Sequence, residues 1–523
     1  MRMPASRTIP GLVDELAERF ADREALVGLG RRYTYRELRG AIREVARGLH
    51  ALGVRRGDKV AILMGNRPEW VITALAITTL GAVMVGVNTW VTARELEFVL
   101  HDSDTIVLVA ADRFLRHDYL AMLAEIEPRD RRLPLLRQVV CDADALHHGM
   151  ARFSELIARG ADIPPGVIDA AGAAVGATDV AYLLYTSGST STPKGVQLQH
   201  YALIENMWQI GERMHVTERD RLWLAVSLFW GLGCENALFN LLTHGGCVVL
   251  QEHFEPGEAL QLIEQERCTV FYGTPNMALA LAEHPRRAQH DLSSLRTGGT
   301  IGTPEQIMRV VDLGAREICN IYGLTETYGN CAVTDAHDPL EARLATVGRP
   351  LDGVTIRIVD VEKDLALTAG EVGEIRVKGY VTCGYYKRDS RDYFDGEGWF
   401  RTGDLGYLDA EGRLHFRGRI KEIVKTGGIN VAPIEVEEAL MAHPAVKTAF
   451  VVGVPDPVRD EALAAVIVLR SGAAVTAAAL EAHCRKTLAA YKVPRLFRFV
   501  DESELPLTVT GKLQKKRLSE LFA

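Results

Sequence analysis

The sequence predicts an α/β fold. A large N-terminal domain holds parallel-sheet subdomains and a small β-rich subdomain, and a compact α+β C-terminal domain follows. Three observations carry this. Strand-like and helix-like segments alternate from KVAILM (59–64) to EICNIYG (317–323). Several apolar segments run straight into small polar turns. After Arg349 the texture changes to short strands and turns, and after about Ile420 to mixed helix and strand. Alternation of this kind signals a largely parallel sheet covered by helices. A chain of 523 residues also exceeds what one hydrophobic core supports.

Residues 13–26 and 35–53 have helical spacing, and KVAILM is the first strand. WVITALAITTLGAVMVGVNTW (70–90) is long enough to suggest a membrane span. Gly81 divides it, however, into a helix-like half and a β-branched half, and the polar NTW and ARELEF follow at once. A buried helix feeding a buried strand is the better reading, with no membrane span. TIVLVA (105–110) and RQVVCD (137–142) are further strands, and residues 160–178 read as a surface connection. VAYLLY (180–185) is a buried-type strand, VQLQHYALIENMWQIGERM a helix, and RLWLAVSLF (221–229) a strand. WGLGCENALFNLLTHGG and CVVLQE repeat the helix-then-strand order. CTVFYGTP, LRTGGTIGTP and EICNIYGLTETYG are three strand ends running into turns. Ligand crevices in parallel sheets lie beyond such C-terminal strand ends. VTIRIVD, GEIRVKG and the Gly-Tyr-Tyr segment read as short strands, and DAEGR as a hairpin turn. The C-terminal part carries the helices IEVEEALMAHP and AALEAHCRKTLA and the strands KTAFVVGV and EALAAVIVL. A domain boundary is placed at 418/419, giving domains 1–418 and 419–523.

Apolar residues make up 47 % of the chain and the formal charge is -8. No basic field is available to attract a polyanion, which argues against a nucleic-acid partner. Eight scattered cysteines without a CxxC exclude a disulfide framework or zinc cluster. Reduced, buried thiols in a cytoplasmic protein are expected. The N-terminal stretch MRMPASRTIPGLVDELAERF lacks the apolar core of a signal peptide.

YTSGSTSTPKG (185–195) is the most informative stretch. Backbone N–H groups and hydroxyls of Gly, Ser and Thr can wrap a phosphate, and Lys194 adds a positive charge. The P-loop pattern GxxxxGK[ST] is absent. A polar surface linker would have the same composition, but not the same position between a buried strand and a helix.

YTSGSTSTPKGV resembles the phosphate-loop signature of the adenylate-forming enzymes: acyl-CoA synthetases, luciferases and peptide-synthetase adenylation domains. Three further motifs occur in the family's order: NIYGLTETYG (320–329), the segment from Trp399 to Glu437, and PLTVTGKLQKKRL (506–518). The resemblance covers almost the whole chain and is closest to stand-alone AMP-forming acyl-CoA ligases. One departure is Ser191, where a second glycine is usual.

The resemblance implies ATP, Mg²⁺ and coenzyme A (or a carrier-protein phosphopantetheine) as cofactors, and a small-molecule carboxylic acid as substrate. It assigns Thr186, Ser187, Gly188, Ser189, Thr190 and Lys194 to the triphosphate. Thr325 is placed at the α-phosphate and Glu326 at the metal. Gly298, Gly299, Thr300 and Tyr322 are placed along adenine, and Asp404 and Arg419 near ribose and phosphate. Lys512 would neutralise the reacting centre. Lys515 and Lys516, in the charge run after it, read as solvated. The C-terminal domain is implied to be mobile about a hinge at Lys421, and Lys425, Gly427 and Gly428 would line the thiol channel.

For the acid pocket the resemblance points to Trp230, Gly231, Cys234, Gly273, Gly298 and Cys331. Trp230 stands where amino-acid-activating domains carry Asp and many acyl- and aryl-CoA ligases carry His. An uncharged acyl or aryl acid is favoured over an α-amino acid. Glu235 could face the pocket and meet an amino or hydroxyl group, but the reading favoured over that is an exposed helix residue. Loading a carrier protein is the alternative activity. Oxidation or amide formation from the adenylate, and an inactive nucleotide-binding protein, are lesser alternatives. A homodimer stays open.

Overall fold

A computed structural model describes residues 2–522 except 127–128, 143–145, 147–148, 187–192, 392, 427–428, 457–459 and 508–512. The chain divides into two compact units, residues 1–355 with 377–400 and residues 356–376 with 401–523. The sequence-based boundary at 418/419 lies inside the second unit, because most of the small β-rich sheet packs with the C-terminal residues.

The first unit is built on two large sheets. One has the spatial order 194–199, 180–186, 83–86, 59–63, 105–111, 138–142 and 150–152. It is parallel except for its edge pair, where Lys194–Gln199 runs antiparallel to Val180–Thr186. The other has nine strands, with a parallel centre formed by Glu317–Tyr322, Thr297–Thr300, Val270–Tyr272, Arg221–Leu224, Cys247–Leu250 and Glu24–Gly28.

Local sequence accounts for the elements that cover these sheets. Helix Tyr35–Ala51 starts on a capping box in which Thr34 and Glu37 satisfy each other's backbone N–H groups. It buries Leu38, Ile42, Val45 and Leu49, a helical stripe. Helix Pro68–Thr79 is apolar nearly all round and is buried throughout. Gly81 then takes φ +67°, turning the chain into the buried strand Val83–Gly86. The helix-then-strand reading of 70–90 therefore holds. No helix among the described residues is long and apolar enough to cross a membrane. Each fully buried Leu, Ile or Val of these layers contributes roughly 1.5–3 kcal/mol.

Several boundaries differ from the sequence reading. Helix Ile9–Arg19 stops at Phe20, and Glu24–Gly28 is a strand. It pairs with Arg31–Thr34 across a turn at Leu29 and Gly30, both at positive φ. Pro165–Ala173 is a helix within the expected connection, started by the Pro164–Pro165 pair. The strand at Arg221 ends at Leu224, and the helix after the Ser/Thr loop begins only at His200, because V-Q-L-Q alternates and pairs as a strand. The Gly-Tyr-Tyr segment forms a single bridge at Tyr385, not a strand.

In the second unit a four-stranded sheet combines 355–359, 373–378, 400–408 and 414–419. Its last hairpin turns at Asp409–Arg413, as DAEGR suggests: the Asp409 carboxylate accepts from the Glu411 and Arg413 amides. A five-stranded sheet follows, whose long pair Val446–Asp456 and Asp460–Leu469 is antiparallel. Helices Pro433–Met441 and Ala477–Cys484 close its core over Val451, Ile467, Val436, Leu440 and Leu480. The second helix is shorter than its sequence pattern, which continues past Cys484.

Lys515 is not solvated. Its ammonium lies 3.1 Å from Glu422 and 3.0 Å from Glu437, with 28 % of the side chain exposed. The buried Glu437 carboxylate also accepts from the Val451 amide at 2.9 Å.

Candidate active site

The strands on either side of the polar stretch pair with each other. Strand Val180–Thr186 pairs with Lys194–Gln199 in a register that sets Thr186 opposite Lys194. Ser187, Gly188, Ser189 and Thr190 lie outside the described residues. The second of these strands alternates Val196 and Leu198 inward with Gln197 and Gln199 toward the surface, which fixes where the loop's base sits.

At that base Lys194 Nζ donates to the Tyr393 hydroxyl at 2.6 Å. The ammonium also lies 4.6 Å from the Tyr393 ring centre and 5.5 Å from that of Tyr385, an arrangement in which ring faces hold a cation. The two rings pack 4.3 Å apart. The Tyr385 hydroxyl in turn donates to Glu326 Oε1 at 2.8 Å. Two tyrosines thus connect the loop lysine to the carboxylate of the TET turn. Sequence reading missed both. The signal present was GYYKRDSRDYF, whose aromatic and charged residues carry no periodicity of their own.

Glu326 is 9 % exposed and sits in the short 3-10 turn Thr325–Thr327. The turn is pinned from several sides. Tyr328 adopts a left-handed conformation at φ +54°. Its carbonyl accepts from Asn206 at 3.2 Å and Asn236 at 3.1 Å, and its hydroxyl accepts from the Gln199 amide at 2.8 Å. The Glu326 carbonyl accepts from the Thr382 amide at 2.6 Å.

The three strand ends lie side by side, as their sequences suggest. Register pairs Tyr272 with Gly299, and Thr300 with Asn320. Gly273 donates its amide to the Gly299 carbonyl at 3.2 Å, and the Thr300 hydroxyl donates to the Gly273 carbonyl at 3.0 Å. Gly298 has φ +139°, and a Cβ there would overlap the Phe271 carbonyl. Tyr322 is 4 % exposed at the end of the next strand, and Cys331 donates its amide to the Tyr322 carbonyl at 2.9 Å.

Around the expected acid pocket, Gly231, Glu235 and Thr325 come together, while Trp230 packs with Phe229 and Trp90 at centroid distances of 5.4 and 6.4 Å. Cys234 is buried in the π-helical turn Leu232–Ala237, and burial raises its thiol pKa well above the ordinary range. Glu235, in the same turn, is fully buried rather than exposed. All of Gly233–Ala237 is buried, so no face of this turn reaches solvent. Burial first, and the nearby Glu326 second, push its carboxyl pKa well above the ordinary value. A cavity of about 250 Å³ elsewhere in the unit is bordered by Arg56, Lys59, Val83 and Tyr386. It opens at the N-terminal ends of two parallel strands, the end opposite to that used for ligands in such sheets.

In the second unit, register sets Asp404 opposite Arg419, and Arg419 Nε lies 3.2 Å from the Asp404 carboxylate. Asp404 is 3 % exposed, whereas half of the Arg419 side chain is in solvent. Lys421 is exposed in the 3-10 turn Ile420–Glu422. Lys425 belongs to strand Val424–Thr426. Gly427, Gly428 and Lys512 lie outside the described residues.

A sequence model described as AMP-binding enzyme matches residues 13–386, and one described as AMP-binding enzyme C-terminal domain matches residues 435–512. The chain is 35 % identical over 526 residues to a CoA ligase of Mycobacterium tuberculosis named for a methyl-dioxo-octahydroindenyl propanoyl group, covering 98 % of this chain and 99 % of that protein. It is 31 % identical over 538 residues to a mitochondrial medium-chain acyl-CoA ligase of Mus musculus, covering 98 % and 87 %. The crystal structure of the anthranilate CoA ligase AuaEII with anthranoyl-AMP superposes with a TM-score of 0.85 at 28 % identity, covering 100 % of this chain and 99 % of that one. With that match over most of its length, and with acyl-CoA ligases as full-length relatives, the chain belongs to the family of AMP-binding, adenylate-forming enzymes.

Proposed function

We propose that the protein is an AMP-forming acid–CoA ligase whose residues 1–418, with Arg419, hold ATP and the acid, and whose C-terminal residues supply the reacting lysine. A carboxylate oxygen attacks the α-phosphorus and the bond to pyrophosphate breaks. The CoA sulfur then attacks the acyl carbon and AMP leaves. The observation that carries this reading is the line from Lys194 through Tyr393 and Tyr385 to Glu326, which joins the loop's base to the TET turn.

Two anions meet in the first step, so the site must supply positive charge and oriented donors. Thr186, the loop 187–190 and Lys194 hold the triphosphate. Lys194 exchanges its tyrosine contacts for phosphate oxygens. Thr325 donates its hydroxyl at the α-phosphate. Glu326 offers one hard carboxylate, which suits Mg²⁺, an ion that takes its remaining oxygens from phosphates and water. When bound, that ion supplies charge neutralisation on the polyphosphate. Gly298, Gly299, Thr300 and Tyr322 border adenine, and Asp404 with Arg419 takes the ribose. Gly273, Trp230, Gly231, Cys234 and Cys331 border the acid.

Domains 1–418 and 419–523, hinged at Lys421, then alternate. One arrangement presents Lys512 for adenylation, and the other presents Lys425, Gly427 and Gly428 to the thiol. CoA, rather than a carrier protein, is the acceptor in this reading, which the CoA ligase names of the full-length relatives support.

The test is ATP–pyrophosphate exchange over fatty, aryl, hydroxy, amino and dicarboxylic acids, followed by thioester assay with CoA and with carrier proteins. Exchange should depend on an added acid, and thioester should form with CoA. Lys512→Ala should lose exchange by at least about a hundredfold, of the order of one missing transition-state donor, while ATP still binds. Normal exchange in that variant, or exchange without any acid, would overturn the reading.

A further inference from the structure

Among the described residues, the buried carboxylates have partners, with one exception. Glu326 accepts from Tyr385, Asp220 pairs with Arg296, Glu374 with Arg376, Asp404 with Arg419 and Glu437 with Lys515. Glu235 has no solvent exposure, and neither of its oxygens has a hydrogen-bond partner. Leaving such a group unpaired costs free energy that folding does not return. No lysine or arginine is among the groups that act on its charge; the charged neighbour is Glu326, of the same sign.

The carboxyl has a definite direction. A Cβ placed on Gly231 would collide with Glu235 Oε1 and lie 3.5 Å from the Thr325 hydroxyl. Oε1 therefore leans over the bare backbone of Gly231, on the side of the TET turn. Gly233 is equally constrained, since a Cβ there would strike the Ser227 carbonyl. The two glycines let this turn lie close, and it is the bare backbone of Gly231 that leaves room for Oε1. The turn is π-helical, a winding that often marks functional sites. The hydroxyl of Tyr182, a residue that senses the Glu235 charge, is also buried without a partner.

We infer that Glu235 is a specificity-determining residue of the acid site, and that the acid it selects carries an amino or hydroxyl donor close to its carboxyl group. The inference rests on the adenylation reading and deepens it. With Thr325 at the α-phosphate, the acid's carboxylate lies beside that hydroxyl, and the adjoining atoms of the acid face Glu235. A donor on those atoms completes a carboxyl that the protein leaves incomplete. An unsubstituted alkyl or aryl acid leaves it unpaired, and a site built this way rejects such an acid. The counter-group absent at Trp230 is thus supplied five residues later.

The experiment uses the full chain and matched acids: benzoate, 2-hydroxybenzoate and 2-aminobenzoate, then butanoate, 3-hydroxybutanoate and 3-aminobutanoate. kcat/KM for acid-dependent pyrophosphate exchange is measured for each. In wild type, a donor-bearing member of at least one set should exceed its unsubstituted parent tenfold or more. The hydroxy and amino arms identify which donor is used. Glu235→Leu should erase or invert that ratio by raising the unsubstituted acid. Glu235→Gln, which keeps shape and an acceptor, should retain a hydroxyl preference and lose an amino one. Equal or better exchange of the unsubstituted acids by wild type would overturn the inference. So would a parallel fall for all acids in both variants, since a merely structural glutamate lowers activity without changing the ratio. If no acid in any class supports exchange although ATP binds, the adenylation reading itself fails and takes this inference with it.

Discussion

At Gly298 one missing carbon decides whether two strands can pair. Its φ of +139° is open to glycine, and a Cβ would overlap the Phe271 carbonyl of the neighbouring strand. Gly298→Ala should therefore destabilise the first unit by about 3 kcal/mol, combining backbone strain and overpacking. Urea unfolding followed by Trp fluorescence checks this; a stability within 1 kcal/mol of wild type, on the scale of an ordinary surface change, would contradict it. Individual side chains show where sequence reasoning stops. Lys194, Glu326 and Asp404 were legible because motifs fix their types and order. Tyr385 and Tyr393 were not, because their role arises from contacts across about two hundred residues of chain, Lys194 to Tyr393 among them. Glu235 was misplaced for a related reason: its surroundings depend on a π-helical turn and on which way that turn faces. Neither property has a sequence period.

At the scale of elements, the end of the second unit is tied to the turn Ile420–Glu422 and to helix Pro433–Met441 by ion pairs of Lys515, a residue that the sequence presented as part of a solvated charge run. Lys515 sits between Glu422 and Glu437. Burial would lower its pKa, but the two carboxylates outweigh burial and raise it. A lysine raised in this way contributes its full stabilisation at any pH below the ordinary lysine range, and loses it only as pH climbs through the raised value. Lys515→Met should destabilise the second unit by about 3 kcal/mol at neutral pH, because Glu437 is left buried without a counter-charge. The loss should be unchanged between pH 7 and 9. Adding Glu437→Leu should recover most of it, since an apolar pair needs no counter-charge. Denaturant midpoints of the two variants provide the check, and a double variant no more stable than the single one would refute the pairing argument. Strand and helix types were largely readable here and in the first unit, from alternation and apolar runs. Boundaries were less so. V-Q-L-Q after Lys194 and the EALVG strand at Glu24 each sit beside a helix, and the longer helical signal masked the shorter period-two one.

At the scale of the whole molecule, the fold class follows from the order of segments, whereas the division into units does not. The sheet 355–419 is β-rich in sequence, and its tertiary packing, which no local pattern encodes, groups most of it with the C-terminal residues. A division by packing and a division by motion are different properties. The proposed rotation at Lys421 requires the backbone torsions of the 3-10 turn Ile420–Glu422 to change and the packing between the hairpin before it and helix Pro433–Met441, Arg417 near Glu438 included, to be remade, while the hairpin and the sheet after it each stay intact. Proline at that position fixes φ near -65° and narrows the torsions available. If rotation separates the half-reactions, Lys421→Pro should leave acid-dependent pyrophosphate exchange within about threefold of wild type. It should slow thioester formation from preformed adenylate at least tenfold, about 1.4 kcal/mol in barrier height. Single-turnover measurement of each step distinguishes the two. Equal slowing of both would place the effect in folding or nucleotide binding, and unchanged thioester formation would remove Lys421 as the pivot. The first unit provides an internal control: its Lys194–Tyr393 and Tyr385–Glu326 contacts are made entirely within residues 1–355 and 377–400. A pivot at Lys421 leaves them intact, so ATP affinity in the proline variant should match wild type even where transfer to CoA is lost.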